Sequence, residues 1–512
     1  MQDLRVSHSP HRPANDAPAR RFLPPYHVFK HSGECFAYFL ERDCAFHIDR
    51  PTYDLLARAL KGSFAEAADR LLQEGKYDTD TVASIMSEVS RLQQAGFFRP
   101  VRNWLSTAEK EQALTHRYTT PWTRLELALA ESCNLACKYC YCSAVRDMPN
   151  QGLMTEEVAQ TAIDWLFKAS GDAKELSLTL FGGEPLLNKP VFKSVMDYSD
   201  ALAKKHGKRI HYSMTTNGTL IDDMVIHYIK KHNFGLMVSL DGPPEIHNAQ
   251  CPTQDGGPSF DMAAKGIKRL MKRRKRVTVR CTVTNAMPRL LDLVRFFEDF
   301  GFTRIVLGAA MNPVSPSSFD CDQEVLEDFE NQQKEHLIPW MLGELAEGRI
   351  PSWFPYASLI KRIVDTQEKP VSMFRCGACR GTSTVGADGR MYPCHRFVGM
   401  RNWVCGDISN GPDIECAKEF WRRYEDAVGQ TCSQCWARRA CNRPCPWQIA
   451  QEDGSFHMQG SWKCDKTRSA VEEGMMMHWH IQTYYPDMYE TLTLSRYDER
   501  RRNTNDTKEP AM

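Results

Sequence analysis

The sequence predicts an α/β protein built on a partial barrel of six strand–helix units, with a small unit before it and a cysteine-rich unit after it. Three observations carry this. Apolar runs of strand length alternate with helical patterns from Leu125 to Ala309. Turn motifs and a cysteine motif recur where those runs end, the end at which such barrels place their chemistry. Cysteines then return from Cys376 onward with their own spacing.

The 512 residues are enough for roughly two to four domains. Hydrophobic residues make up 42% and charged residues 25%, ordinary for a soluble globular chain. With 65 basic and 64 acidic side chains the net charge is +1, so there is no global case for nucleic acid or an anionic membrane as partner. No apolar run is long enough to span a bilayer. The N-terminus lacks the apolar stretch of a secretory signal. Nineteen cysteines without an export signal argue for metal ligation in a reducing compartment, and a cytoplasmic location is expected.

Residues 1–22 are polar and proline-rich and read as a disordered tail. Tyr26–Lys30, Cys35–Leu40 and Ala45–Ile48 are short apolar segments separated by turn residues, a three-stranded meander. Three helical patterns follow, ending at Gly62, Gly75 and Gly96. Together, residues 23–105 form a winged-helix-like unit. Cys35 and Cys44 have no ligand spacing and read as core thiols.

The barrel is expected over 118–372. Leu125–Ala130 is its first strand and Thr155–Ala169 its first helix, capped by Thr155. Leu176–Phe181, Ile210–Thr216, Leu236–Leu240, Val277–Thr284 and Ile305–Ala309 supply the other strands, and Glu324–Glu347 one or two outer helices. After the first strand comes Cys133-Asn134-Leu135-Ala136-Cys137-Lys138-Tyr139-Cys140, a CxxxCxxC octet. Three thiolates on one loop can hold an iron–sulfur cube and leave one iron open. The octet alone is also compatible with a buried cysteine stripe on a helix or half a zinc site. Its surroundings decide. Tyr139 offers a ring to a nucleobase, and the second strand ends in Gly182-Gly183-Glu184-Pro185, a glycine pair that allows close approach to the backbone. Later strands end in Thr215-Thr216-Asn217-Gly218 and Ser239-Leu240-Asp241-Gly242-Pro243.

These motifs, in this order, resemble the radical S-adenosylmethionine (SAM) enzymes over roughly Trp122 to Trp462. The resemblance implies that Cys133, Cys137 and Cys140 hold a [4Fe–4S] cluster that binds SAM. It implies SAM contacts from Tyr139, Gly182, Gly183, Glu184, Pro185, Thr216, Asn217, Ser239 and Asp241. Arg280 is the candidate for the SAM carboxylate, which a guanidinium can grip bidentately; the other reading is a strand-end arginine paired with a helix. Relatives often carry an acidic residue after the histidine of the SLDGP turn and an arginine soon after; here the stretch reads Ile246-His247-Asn248-Ala249-Gln250-Cys251-Pro252. Lys272-Arg273-Arg274-Lys275-Arg276 reads first as a solvated helix end. The segment Met311–Asp320 reads as a loop.

Over 373–475, Cys376, Cys394, Cys432, Cys435, Cys441, Cys445 and Cys464 reproduce the spacing of the seven-cysteine SPASM extension of radical SAM peptide maturases. Zinc is the alternative occupant. By resemblance, Cys432, Cys435, Cys441 and Cys464 hold one auxiliary [4Fe–4S] cluster and Cys376, Cys394 and Cys445 another, with Cys379 the candidate fourth ligand. Cys405 and Cys416 are spares. Residues 476–512 form a C-terminal extension with a disordered end from Asp498.

The chain thus resembles a radical SAM/SPASM peptide maturase using three clusters and SAM to generate a 5′-deoxyadenosyl radical. It is similar to maturases that form thioether or carbon–carbon cross-links and to those maturing the quinohemoprotein amine dehydrogenase subunit. The N-terminal unit looks like a leader-peptide recognition element, which binds by strand addition. Partners implied are a precursor peptide and a low-potential electron donor of flavodoxin or ferredoxin type. The alternatives are formylglycine-generating sulfatase maturation and, outside enzymes of this kind, an iron–sulfur electron carrier or peptide-binding scaffold. No sequence feature identifies a catalytic acid or base.

Overall fold

A computed structural model describes residues 23–493 except 102–104, 143–151, 233, 275–276, 286–287, 311–320, 367–372, 375, 452 and 459–461. The two expected tails, the Met311–Asp320 loop and the end of the basic run at Lys275-Arg276 lie outside the described residues. The chain divides into two compact units, Met1–Trp104 with Ser433–Trp436, and Leu105–Cys432 with Ala437–Met512.

In the first unit, β1 (Tyr26–His31), β2 (Glu34–Phe39) and β3 (Cys44–Ile48) form an antiparallel sheet in the order β1-β2-β3. Helices Arg50–Ala59, Phe64–Gln73 and Thr79–Gln94 follow, each started by a side-chain cap from Asp49, Ser63 or Asp78. Their apolar faces meet the sheet around Tyr26, Phe39, Leu55, Leu71 and Val89. Asp54 is a buried hub, ion-paired with Lys76 at 2.6 Å and Arg50 at 3.3 Å, and accepting from the Tyr77 hydroxyl at 2.7 Å. Burial opposes its charge, but those partners outweigh burial and hold its carboxyl down at about 2. In this unit the His27 ring stacks on Trp436 at 3.8 Å.

The second unit is organised by a sheet of order β11-β10-β4-β5-β6-β7-β8-β9. Six strands, β4 (Arg124–Ala130), β5 (Glu175–Gly182), β6 (Arg209–Thr216), β7 (Gly235–Ser239), β8 (Thr278–Val283) and β9 (Arg304–Ala309), run parallel with helices between them. This is the expected α/β core of six strand–helix units. Thr155 caps the first helix as expected, its hydroxyl accepting from Val158 N–H at 3.2 Å.

Two features were not legible beforehand. First, β10 (Thr384–Val385), from the cysteine-rich region, extends the barrel sheet by pairing parallel with β4 at Glu126 and Leu127, and β11 (Met391–Tyr392) returns antiparallel to it. The barrel and most of the C-terminal cysteines therefore share one compact unit. Second, helix Thr107–Thr119 precedes the barrel; it buries only Leu114 and so carries no apolar stripe to read. Of the one or two outer helices expected over Glu324–Glu347, two form, Gln323–Gln332 and Ile338–Ala346, joined by a π-turn at Gln333–Leu337. At the C-terminus, helix Trp462–Tyr484 runs through position 475, where the sequence suggested a boundary.

Candidate active site

The octet leaves the C-terminal end of β4 and is strapped to a second segment, Gln250–Gln254. Ala136 N–H donates to Pro252 O at 2.7 Å and Lys138 N–H to Gln250 O at 2.9 Å. The Gln254 amide donates to the Cys133 and Leu135 carbonyls, both at 2.9 Å. Leu135 is buried and bridges Thr253. These bonds close a loop that has no regular structure of its own. The Cys133 sulfur accepts from Leu135 N–H at 3.4 Å and faces the Asn217 amide at 3.7 Å. Burial, with Cys137 and Cys140 among its neighbours, pushes the Cys133 thiol up to about 12. Three soft donors on one loop, one of them already accepting from N–H groups, suit an iron–sulfur cluster; iron would displace their protons on binding.

The glycine pair serves the loop itself. A Cβ on Gly182 would lie 2.1 Å from Ala130 O, and one on Gly183 2.4 Å from Ser132 O. Gly183 N–H donates to Ala130 O at 2.7 Å and Glu184 N–H to Ser132 O at 3.0 Å. What approaches the backbone here is the stem of the cysteine loop. The Glu184 carboxylate is fully buried and accepts from Leu186 N–H (3.0 Å), the Thr216 hydroxyl (2.8 Å) and Asn217 N–H (2.7 Å). Burial raises its pKa to about 7, against the pull of those donors. Glu184 thus ties the end of β5 to the end of β6. Pro185 is buried at the start of the following 3-10 turn. The Asn217 side chain in turn donates to Asn134 Oδ1 at 2.9 Å.

Asp241 is a second knot. Its Oδ1 accepts from Thr282 N–H at 2.9 Å and its Oδ2 from the Tyr139 hydroxyl at 2.5 Å; its own N–H donates to His247 Nδ1 at 3.2 Å. Burial raises its pKa. Tyr139 therefore reaches past the cluster loop to the end of β7, packed against the small buried cluster of Ala310, Cys321 and Leu326. Of the polar side chains nominated from sequence, Tyr139, Glu184, Thr216, Asn217 and Asp241 are engaged in fastening loops to one another. Arg280 and Ser239 are different. They are register partners on β8 and β7. The Arg280 guanidinium lies over Gly308 of β9, where a Cβ would come within 2.7 Å of Nη2. Among the described residues neither side chain has a hydrogen-bond or ion-pair partner, so Arg280 is not the helix-paired arginine of the alternative reading.

In the C-terminal region, Cys376, Cys394 and Cys445 lie within electrostatic reach of one another. Cys405 lies 3.2 Å from Cys416. Cys379, the expected fourth member of the set, has a left-handed backbone at φ 53° and a buried thiol. The turn sends this thiol into the aromatic core formed by Phe397, Trp403, Phe420, Trp421 and Trp447. The Cys441 sulfur accepts from Arg443 N–H at 3.2 Å, and Arg443 forms a buried ion pair with Glu425. Cys432 ends helix Ile414–Ser433 and Cys464 opens helix Trp462–Tyr484, while Cys435 belongs to the stretch that groups with the first unit.

Residues outside every motif also crowd the site. The Cys251 thiol lies 3.2 Å from the Tyr139 hydroxyl and donates to Asp241 Oδ2 at 3.4 Å. His395 follows Cys394, with Nδ1 3.0 Å from Glu126 of β4 and its ring 4.2 Å from that of Phe181. None had a spacing to betray it. Only the fold brings residues 126, 181 and 395 together.

A family model described as the radical SAM superfamily matches residues 128–300. A serine-type anaerobic sulfatase-maturating enzyme of Bacteroides thetaiotaomicron is 30% identical over 337 residues, 61% of this chain and 80% of that protein. A cysteine-type anaerobic sulfatase-maturating enzyme of Clostridium perfringens is 24% identical over 342 residues, 64% of this chain and 89% of that protein. The solved structure of histidine-tagged anSMEcpe with bound AdoMet superposes with a TM-score of 0.61 at 21% identity, covering 73% of this chain and 99% of that one, which bears on the fold. Among the described residues no helix is long and apolar enough to cross a membrane. Superfamily match, relatives and site agree on an enzyme that uses a [4Fe–4S] cluster and SAM, which sets aside a mere electron carrier or scaffold. The chain belongs to the radical SAM superfamily, among its maturases of peptide and protein substrates.

Proposed function

We propose that this maturase installs a cross-link, thioether or carbon–carbon, within a precursor peptide that its first unit captures. The observation that carries this reading is that unit. The anaerobic sulfatase-maturating structure is spanned almost whole by 73% of this chain, so more than a quarter of the chain is additional to that fold. The first unit contains a sheet with edge strands β1 and β3, and β3 presents Phe46, a large apolar side chain that is 44% exposed. An edge strand beside an exposed aromatic suits a leader peptide added as a further strand. Formylglycine formation is the second reading, favoured by what the relatives are.

Cys133, Cys137 and Cys140 would hold the SAM-binding cluster, with Arg280 and Ser239 meeting the polar end of SAM. Bound there, cluster and SAM supply a 5′-deoxyadenosyl radical that takes hydrogen from a peptide carbon. Cys432, Cys435, Cys441 and Cys464 would hold one auxiliary cluster and Cys376, Cys394 and Cys445 the other, with Cys379 the candidate fourth ligand. That makes three [4Fe–4S] clusters, reduced by a flavodoxin or ferredoxin, in a cytoplasmic enzyme. The chain's own part is to strap the cysteine loop, present the Arg280 cation to a carboxylate, and tether the peptide.

Co-expression with a precursor peptide encoded nearby, followed by mass spectrometry, tests the reading. A loss of two hydrogens with a new intrapeptide linkage is expected; an aldehyde at a single Cys or Ser would establish formylglycine formation instead. Deleting residues 1–100 should cripple peptide modification at low peptide concentration, with partial recovery at high concentration, and leave uncoupled 5′-deoxyadenosine formation largely intact. Full modification by the truncated enzyme at low concentration would refute capture by this unit.

A further inference from the structure

We infer that Cys405 and Cys416, two thiols outside both ligand sets, form a reversible dithiol–disulfide site that closes under peroxide and staples the C-terminal frame. The pairing stands on the geometry of these two residues and does not depend on which metal the ligand cysteines hold.

The two sulfurs are 3.2 Å apart. The backbones that carry them are already joined. Asp413 N–H donates to Cys405 O at 2.9 Å, and a small hairpin, Gly406–Asp407 paired with Gly411–Pro412, fills the loop between them. The Cys416 sulfur also lies 3.5 Å from Val404 O. A disulfide sets its sulfurs about 2 Å apart, so closure takes roughly 1 Å of side-chain movement and no change of fold. Cys405 is buried in the aromatic core, and Cys416 is half-buried against it. Cys416 is thus the thiol that a small oxidant reaches first, with Cys405 behind it. Cys416 stands in the first turn of helix Ile414–Ser433, its N–H donating to Asp413 Oδ1 at 2.9 Å. A helix start favours a thiolate. The hydrogen bond to Cys405, with burial, opposes this and raises the Cys416 thiol, so the pair rests protonated until an oxidant arrives.

The oxidant is hydrogen peroxide. The Cys416 sulfur attacks one peroxide oxygen, the O–O bond breaks, and a sulfenic acid and one water form. The Cys405 sulfur then displaces the hydroxyl from Cys416, the S–S bond forms, and a second water leaves. Two thiols have lost two electrons and two protons, and one peroxide has become two waters. A dithiol reductant reverses the step. Transient pairs of this sort are the disulfides that a reducing compartment admits. The position gives the bond its consequence. Cys405 N–H donates to Met391 O at 2.8 Å, on β11, which leads to Cys394. Cys416 lies at the start of the helix that ends at Cys432. The disulfide therefore joins the segments that carry two ligand candidates, and keeps that frame closed when peroxide strips its metal.

Cleavage by trypsin after Arg401 and Lys418 leaves both cysteines, and no other, in the peptide Asn402–Lys418. The full-length protein, reduced and anaerobic, is treated with hydrogen peroxide, alkylated, digested and weighed by mass spectrometry. This peptide should lose two hydrogens and take up no alkyl group, and dithiothreitol before alkylation should restore both alkylations. Untreated Cys405→Ala and Cys416→Ser should keep wild-type iron, sulfide and 5′-deoxyadenosine formation. After peroxide the wild-type protein should unfold at a higher urea concentration than Cys416→Ser, and dithiothreitol should erase the difference. Full alkylation of the peptide after peroxide overturns the proposal, as does a link from Cys405 to Cys379 or to any other peptide. Loss of iron in the untreated variants would make these thiols ligands and overturns it equally. Equal urea midpoints after peroxide would refute the staple.

Discussion

In the first cysteine loop three thiols lie within eight residues, and the loop takes its shape from the strand ends around it. Gly182 and Gly183 admit its stem, Glu184 ties the neighbouring turns, and the Gln250–Gln254 segment straps its tip. In the C-terminal region the ligand candidates are strung from Cys376 to Cys464 along short strands, turns and the ends of two long helices. Their frame is an aromatic core and a buried Arg443–Glu425 pair, reinforced by Lys110 at 3.1 Å from Glu425. The contrast teaches where each set draws its order. The barrel would hold the first set in place with or without metal. The second set depends on packing between elements distant in sequence, and metal and packing support one another there.

The strongest challenge to that contrast is Cys137→Ala. It should abolish 5′-deoxyadenosine formation while leaving the C-terminal metal content intact, as read by iron and sulfide analysis. A variant that still cleaves SAM at the wild-type rate would overturn the assignment of the loop.

Next comes Arg280→Ala, which removes the cation at the barrel end. A lost charge-assisted hydrogen bond is worth about 1.5–3 kcal/mol, or roughly ten- to a hundredfold in affinity for SAM by calorimetry. Both cysteine sets should keep their iron. Unchanged SAM affinity would remove Arg280 from the site.

Trp421→Ala opens a cavity in the aromatic core, where Trp421 is 1% exposed. A loss of about 3–5 kcal/mol is expected from such a truncation. The C-terminal region should release its metal at a lower denaturant concentration than the first loop does. Simultaneous loss from both would show that the shared sheet, through β10 and β4, couples them more tightly than their frames suggest.

The smallest effect serves as a control outside both sets. Asp54 lies in the first unit with its carboxyl held at about 2, below the 3.8 of an unperturbed aspartate. A depressed carboxyl pKa contributes stability that is fully present above about pH 4 and is lost as pH falls through about 2. The shift amounts to about 2 kcal/mol. Asp54→Asn should lower the stability of that unit by about this much at neutral pH and flatten its acid transition, with metal content in both cysteine regions unchanged.

The chain order by itself determined the strand–helix alternation, the Thr155 cap, and the octet with its neighbouring turns. These rest on periods of two and 3.6 residues and on ligands a few positions apart, which are local properties. The family resemblance also nominated Arg280, a cation on a barrel strand. Only the tertiary structure decided what the nominated residues do. Glu184 and Asp241 read as cofactor contacts, yet their carboxylates fasten turns together, because the barrel closes on them and a buried carboxylate needs donors from whichever chain segment is nearest. Cys379 was nominated as a ligand by resemblance, and only the structure shows its left-handed backbone and its thiol buried with the aromatic core. The β10 strand, two residues long, has no period to read, and pairs with β4 across more than 250 residues of sequence. Cys251 and His395 carried no motif at all. Their neighbours Tyr139 and Glu126 are supplied by other strands and loops, and proximity of that kind is made by packing, which no local pattern encodes.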